Sequence, residues 1–249
     1  MLTIGVDLAA EADRTAVAWI DWSADGARVR DLKIQADDDL IVEAIKSADK
    51  AGIDCPLGWP DKFIDFIAAH RAGHVEVPSG IAGINWRREL ALRVTDQVTS
   101  ELALRPLSVS ADRIGHTAMR CAALLADLAQ QGQPVDRSGT GVVVEVYPAA
   151  SLKCWGLPHK GYKRLANRGG LAELVDELQR AAPWLDLGVH EQICRASDDA
   201  IDAVIAALIA RAASQGLVTV PAPDQVCSAR SEGWIALPTG PLSDLRPAG

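Results

Sequence analysis

The opening of the chain alternates short apolar runs with turn residues. Residues 2–8 and 15–22 are rich in β-branched and aromatic side chains, and Asp25-Gly26 after the second run is a typical hairpin turn. Residues 27–34 form a third run of the same kind. The pattern therefore predicts that the fold begins with three antiparallel strands.

After this meander, the apolar positions change to a helical period. Residues 38–50 place apolar side chains on one helix face behind an acidic start, and residues 51–54 form a short apolar strand that Pro56 ends. The remaining predicted elements are helices at 61–72, 111–131, 171–182 and 197–213, a strand at 142–147, a short helix opened by Pro148, and a final strand at 233–237.

A strand meander followed by alternating helices and strands predicts an α/β fold, with a mixed β-sheet flanked by helices. We interpret residues 1–249 as a single domain. Residues 58–141, mainly helical in pattern, are interpreted as an elaboration inserted between the fourth and fifth core strands.

The overall charge limits the class of partner. The formal net charge is −8 and the pI is near 5.1. A protein that binds nucleic acid through bulk electrostatics needs a basic surface, so only a local basic groove remains compatible with such a partner.

Cysteine usage and hydropathy favour a cytoplasmic location. The five cysteines are odd in number, dispersed and free of a Cys-x-x-Cys spacing, which predicts reduced thiols and no zinc site. No apolar run approaches the length of a membrane span, and the first residues lack the pattern of a secretory signal. The oligomeric state is left open.

Acidic residues recur at the ends of the predicted elements. Asp7 and Asp54 end strands, where α/β sheets open into ligand crevices. Glu145 interrupts an apolar strand, so it needs either a metal or an arginine as its partner. Asp199 and Asp202 lie three residues apart on one face of an alanine-rich helix. Taken singly, Asp7 and Asp54 are also explained as turn formers.

Carboxylates that converge require raised pKa values or cations, because like charges repel at low dielectric. Oxygen-only ligands favour Mg²⁺ or Mn²⁺, and two such ions suit hydrolysis of a phosphodiester by a metal-activated water. The predicted metal-binding and catalytic set is therefore Asp7, Asp54, Glu145, Asp199 and Asp202.

Two basic stretches are candidates for contacts with a phosphate backbone. An ordinary solvated surface is the alternative explanation for both of them. The predicted substrate-binding residues are Arg87, Arg93, Lys160, Lys163 and Arg164.

With these residues in place, the chain resembles a predicted nuclease family catalogued as domain of unknown function 429. The matching segments are Gly5-Val-Asp-Leu-Ala, Gly52-Ile-Asp-Cys-Pro-Leu-Gly, Arg93-Val-Thr-Asp96, Glu145-Val-Tyr-Pro-Ala, Asp198-Asp-Ala-Ile-Asp-Ala203 and Glu232-Gly-Trp-Ile235. The resemblance implies a ribonuclease H-like fold, which the predicted element order also fits, and a metal-dependent nuclease activity.

Similarity to Holliday-junction resolvases, which share this superfamily, implies a four-acid set. Their first-strand Asp, second strand-end acid and terminal acidic pair look like Asp7, Asp54, Asp199 and Asp202 here. Glu145 is additional to that set, so it either replaces Asp54 as a ligand or has another role.

Three functions follow as hypotheses. The first is a nuclease dependent on Mg²⁺ or Mn²⁺ that acts on DNA or RNA, with structured or branched substrates included. The second is a nucleotide-binding phosphotransferase of the actin and sugar-kinase kind, because those proteins also begin with a strand, an Asp and a hairpin containing Thr, as in residues 7–15. The third is a noncatalytic ribonuclease H-like binding module.

Overall fold

A mixed sheet lies at the centre of the molecule. In the computed structural model, which describes residues 1–163 and 168–247, its order is β5-β4-β1-β2-β3-β6. β1, β2 and β3 pair antiparallel, and β4, β5 and β6 join parallel to β1, β4 and β3 respectively. The strands are β1 (Leu2–Asp7), β2 (Ala16–Ser23), β3 (Gly26–Ile34), β4 (Lys50–Asp54), β5 (Val143–Glu145) and β6 (Leu185–Asp186).

Helices flank this sheet, which confirms the predicted α/β class and is compatible with a ribonuclease H-like fold. Four of them, α2 to α5, lie between β4 and β5 along the chain. The helices are α1 (Asp38–Ser47), α2 (Asp61–Ala72), α3 (Gly83–Ala91), α4 (Val94–Leu102), α5 (Gly115–Gln130), α6 (Pro148–Cys154), α7 (Arg168–Ala181), α8 (Glu191–Cys194), α9 (Asp198–Ser214) and α10 (Val226–Glu232). None of the helices described is long and apolar enough to cross a membrane.

Alternating side chains of the central strands pack into two separate hydrophobic cores, one on each face of the sheet. Ala18 and Ile20 of β2 belong to a core that includes the apolar faces of α7 and α9. Val17 and Trp19, which point to the opposite face of the sheet, belong to a core with α1 and α5. The sheet is therefore covered by helices on both faces, with α9 on one of them.

The central helix α9 approaches the sheet unusually closely because glycines face it. A Cβ atom added at Gly5 would overlap the carbonyl oxygen of Ala203 and the amide nitrogen of Ala207. A Cβ atom added at Gly52 would lie 2.5 Å from the carbonyl oxygen of Ala206. The strands β1 and β4 thus contact the helix backbone directly, and this contact sets the height of α9 above the strand ends.

Replacing Gly5 with alanine is expected to destabilise the protein by about 1–3 kcal/mol or more, because the atoms that the new methyl group meets are backbone atoms of α9. The comparison is Gly169→Ala, on an open stretch of α7 where an added Cβ meets nothing within 4 Å. Urea unfolding of both variants measures the difference. Equal stability of the two variants would contradict the close approach.

One predicted strand is absent from the part of the chain that the structure describes. In the segment 233–237, Ile235 makes an isolated parallel bridge to Glu145 instead of joining a continuous strand. Gly233 has a φ of 96°, outside the strand region, so the extended conformation cannot begin there. The prediction of a strand at 233–237 was therefore wrong.

Candidate functional site

Two aspartates lie side by side at the carboxyl ends of neighbouring parallel strands. Asp7 is the last residue of β1 and Asp54 the last of β4, and the register of the two strands pairs them directly. Both side chains belong to half-buried residues. Each acid lies at the end of its strand because the strand is a short apolar run and a turn begins immediately after the acid.

A third aspartate reaches this pair from the helix above the sheet. Asp202 lies in the second turn of α9, and only 1% of the residue is exposed. The side chain of Ser197 caps the start of this helix by accepting a hydrogen bond from the amide of Ala200. One carboxylate oxygen from each of Asp7, Asp54 and Asp202 lies within 4.8 Å of the others. We call these three residues the aspartate cluster.

Two adjacent residues hold the carboxylate of Asp202. The hydroxyl of Tyr162 donates a hydrogen bond to Oδ1 at 2.9 Å, and the Lys163 ammonium nitrogen lies 2.6 Å from Oδ2. Burial lowers the pKa of Lys163, but the carboxylates, Asp202 foremost, outweigh burial and raise it well above its usual value. Lys163 is therefore a charged ammonium group beside the aspartate cluster.

The aspartate cluster holds more negative charge than its surroundings neutralise. Burial raises the pKa of Asp7, and the charges of Asp202 and Asp54 raise it further. Burial also raises the pKa of Asp54 to about 7, although Lys163 opposes that effect, and burial raises the pKa of Asp202 as well. Three carboxylates with raised pKa values form a site that gains from a further cation.

The donor atoms of the cluster fit a divalent metal ion. Each aspartate offers a carboxylate oxygen, and a hard cation prefers oxygen ligands of this kind. Asp7, Asp54 and Asp202 are therefore the residues that can hold such an ion.

Two cavities adjoin the aspartate cluster. The first, which we call the Asp54 cavity, has a volume of about 500 Å³ and is lined by Asp54, Tyr147, His159 and Lys160 among others. The second, the Asp7 cavity, has a volume of about 490 Å³ and includes Asp7 and Asp202 in its lining. Residues that line both cavities are Leu107, Arg113, Ile114 and Lys163.

Glu145 lies outside the aspartate cluster and is engaged by an arginine. The Arg93 guanidinium donates to both of its carboxylate oxygens, at 2.8 and 2.6 Å, and the amide of Leu57 donates to Oε2 at 3.0 Å. Arg93 also binds Asp96 and is only 1% exposed. Of the two partners that the sequence left open for Glu145, the structure therefore supplies the arginine.

Asp199 lies at the rim of the Asp7 cavity and has a different partner from Asp202. The Arg14 side chain donates to its two oxygens at 3.0 and 2.9 Å. The side chain of Asp199 is 20% exposed, whereas that of Asp202 is 1% exposed. The two acids share a helix, but only Asp202 belongs to the aspartate cluster.

The predicted substrate-binding residues are distributed over several places. Lys160 and Lys163 line the Asp54 cavity, whereas Arg87 lies exposed on α3 and lines neither cavity. The sequence predicted that Arg93 lies on a basic surface, but its guanidinium is buried against Glu145 and Asp96, in the wall of the Asp54 cavity. Arg164 lies outside the residues described.

Sequence reasoning missed three residues around the aspartate cluster. Arg113 lines both cavities but precedes α5 in a segment that the apolar pattern assigns to a helix. Tyr162, the hydroxyl partner of Asp202, was visible only as an aromatic residue within a basic stretch. Arg14 pairs with Asp199 across 185 residues, a separation for which the sequence carries no signal.

Comparisons with curated proteins and with solved structures give no significant match. A protein family matches residues 5–226, which is most of the chain and includes every member of the aspartate cluster. Its description reads "Protein of unknown function (DUF429)", and the chain belongs to this family.

Proposed function

We propose that the protein is a divalent-metal-dependent phosphodiester hydrolase, a nuclease, with Mg²⁺ or Mn²⁺ as its metal. The observation that carries the proposal is the aspartate cluster, in which three elements of the fold bring carboxylate oxygens within 4.8 Å of one another. Raised pKa values of all three acids support it, because perturbed acids concentrate at functional sites.

In this proposal Asp7, Asp54 and Asp202 hold the metal ion. When bound, such an ion would lower the pKa of water and stabilise negative charge on a phosphate group. In the reaction the oxygen of water forms a bond to phosphorus, the bond to the leaving oxygen breaks, and that oxygen receives a proton.

The other residues of the site position the carboxylate of Asp202 and bind the phosphate of the substrate. Tyr162 and Lys163 hold both oxygens of Asp202 and so fix the direction of its carboxylate. Arg113 lines both cavities that adjoin the aspartate cluster, so its guanidinium is available to bind a phosphate there. The sequence expectation of a nucleic-acid substrate is consistent with these cations, although the net charge of the chain is −8.

Calorimetric titration of Mg²⁺ and of Mn²⁺ tests the proposal. The wild-type protein is expected to bind at millimolar concentrations or tighter, and Asp7→Asn and Asp202→Asn are expected to weaken binding at least 10-fold, because each removes one of three charged ligands. The matched control is Asp25→Asn, the same change in the β2–β3 turn, which should bind as the wild type does.

Hydrolysis of labelled single-stranded and duplex nucleic acids by the same proteins provides the second measurement. Loss of metal binding together with loss of hydrolysis in both cluster variants would support the nuclease assignment. Absence of metal binding by the wild type, with and without nucleic acid present, would overturn it. Metal binding without hydrolysis of any substrate would overturn it too, in favour of a noncatalytic module.

A further inference from the structure

The Asp54 cavity has a lining that the proposed hydrolysis does not itself require. Pro56, Val146 and Ile235 are buried residues in its wall, and Tyr147 adds a half-buried aromatic ring. Leu107, 44% exposed, extends this apolar surface to the rim. A metal ion and a phosphate need polar partners, so the apolar part of the cavity fits another portion of the substrate.

The position and size of the cavity suit a flat heterocycle attached to the reacting phosphate. Asp54 and Lys163 belong both to its lining and to the surroundings of the aspartate cluster, so a phosphate at the cluster places its attached nucleoside at the cavity. The volume of about 500 Å³ lies within the range of small-molecule sites. Nucleobases stack on aromatic rings and pack on apolar surfaces.

The same cavity also has a small number of cationic side chains in its lining, enough for one or two phosphates. Arg113 and Lys160 are exposed, and within the described residues neither side chain makes a hydrogen bond or an ion pair. Arg93 and Lys163 also line the cavity, but each is paired with carboxylates, so Arg113 and Lys160 are the cations of its described lining that a phosphate can pair with. Duplex binders neutralise many phosphates along a basic surface, whereas two cations on a chain of net charge −8 match one or two phosphates.

We infer that the Asp54 cavity receives one unpaired nucleobase, so that the substrate is a nucleotide unit whose base is not held in a duplex. This inference rests on the proposed hydrolase function and specifies its substrate class. A base within a duplex is stacked and paired, so it reaches an enclosed pocket only after it has been flipped out of the helix. The nucleotide unit is part of either a single strand or a free dinucleotide, which share the base, the sugar and the phosphodiester that the proposed reaction breaks.

The test compares binding of three fluorescent probes to the full chain in EDTA, where metal-dependent hydrolysis is prevented, and again with Mg²⁺. The probes are a short single strand, the same strand annealed to its complement, and the same strand with abasic sugars in place of nucleosides. The intact single strand is expected to bind about 10-fold or more tightly than the abasic strand, because only the former has bases to stack. It is also expected to bind more tightly than the duplex.

Ala149→Phe, which places a ring at the lining of the Asp54 cavity, is the variant that fills the proposed base site. It should lower the affinity for the intact single strand to that for the abasic strand, while metal binding measured by calorimetry stays unchanged. The matched control is Cys154→Phe, the same new side chain at an exposed position of the same helix α6. Thermal unfolding verifies that both variants are folded.

Equal binding of intact and abasic strands, preference for the duplex, or retention of single-strand affinity in Ala149→Phe would each overturn the inference. These outcomes leave metal binding and hydrolysis intact, so they are distinct from failure of the proposed function, which the metal titration reports. Competition by the dinucleotide adenylyl-adenosine (ApA) separates the two sources. Displacement of the single strand at comparable concentrations indicates a free dinucleotide, and weak displacement indicates a longer strand.

Discussion

Replacing Asp54 with asparagine is expected to stabilise the metal-free protein at neutral pH by about 1–3 kcal/mol and to lower the proposed hydrolysis by 100-fold or more. Burial raises the pKa of Asp54 from 3.8 to about 7, and Asp202 adds to that effect. Asparagine has nearly the same shape but no charge, so it relieves the repulsion and removes one of the three proposed metal ligands. A gain in stability together with a loss of activity would indicate that the charged carboxylate is kept for function at a cost in stability.

The dependence on pH follows from the direction of the same shift. Between pH 4 and pH 7, roughly the interval between the unfolded and folded pKa values, the folded protein retains a proton that the unfolded chain has released. The stability of the metal-free wild type should therefore fall as the pH rises through this interval, and Asp54→Asn should show a smaller fall. Saturating Mg²⁺ should restore the stability of the wild type alone, because only the wild type keeps all three carboxylates that would hold the ion.

Thermal unfolding at a series of pH values, with EDTA and with Mg²⁺, measures both effects. A gain of 1 kcal/mol corresponds to roughly 2–4 °C for a chain of this size. A lower melting temperature for Asp54→Asn than for the wild type in EDTA at neutral pH would show that the carboxylate is a structural group.

Replacing Arg93 with alanine is expected to lower the free energy of unfolding by about 3–5 kcal/mol, because it leaves two buried carboxylates without their cation. Arg93 donates to Asp96 and Glu145 and also to the carbonyl oxygen of Glu232. Burial lowers the pKa of Arg93, but Glu145 and Asp96 outweigh burial and raise it above its usual value. The guanidinium is thus the charged centre that joins α4, β5 and the end of α10.

The comparison for this change is Arg195→Ala. Arg195 also pairs with two carboxylates, Asp176 and Glu191, but the three side chains are 24–54% exposed. Exposed pairs contribute about 0–1 kcal/mol, so this variant should unfold nearly as the wild type does. Chemical denaturation of both variants gives the two free energies. A loss below 1 kcal/mol for Arg93→Ala would show that water or rearrangement compensates the buried acids.

The sequence predicted the strand meander and three of the helices closely. The meander β1 to β3 and the helices α1, α2 and α9 lie within a few residues of their predicted bounds. The pattern did not reveal α3, because its start at Gly83 continues a stretch rich in glycine and proline that is typical of a loop. It did not reveal β6 either, because a strand of two residues is too short to show a period.

The acids were found because of where they lie in their elements, but their partners were not. Strand ends in a parallel pair lie at the same edge of the sheet, and this sufficed to bring Asp7 and Asp54 together. The spacing of Asp199 and Asp202 could not show which of them faces the strands, since that depends on the rotation of α9. The partner of Glu145 lies 52 residues away, in a contact that no local pattern contains.

The packing of α9 against Gly5 and Gly52 also determines how the site can move. Twelve of its seventeen residues are buried, and Asp202 is among them. Local opening that displaced Asp202 would expose this helix to solvent on the side that covers the sheet, at a cost close to that of global unfolding. The strand ends that bear Asp7 and Asp54 lie in the same cooperative unit. Hydrogen exchange is therefore expected to find the backbone amides around the aspartate cluster among the slowest to open, so that the proposed substrate would enter through the adjoining cavities while the carboxylates stay in place.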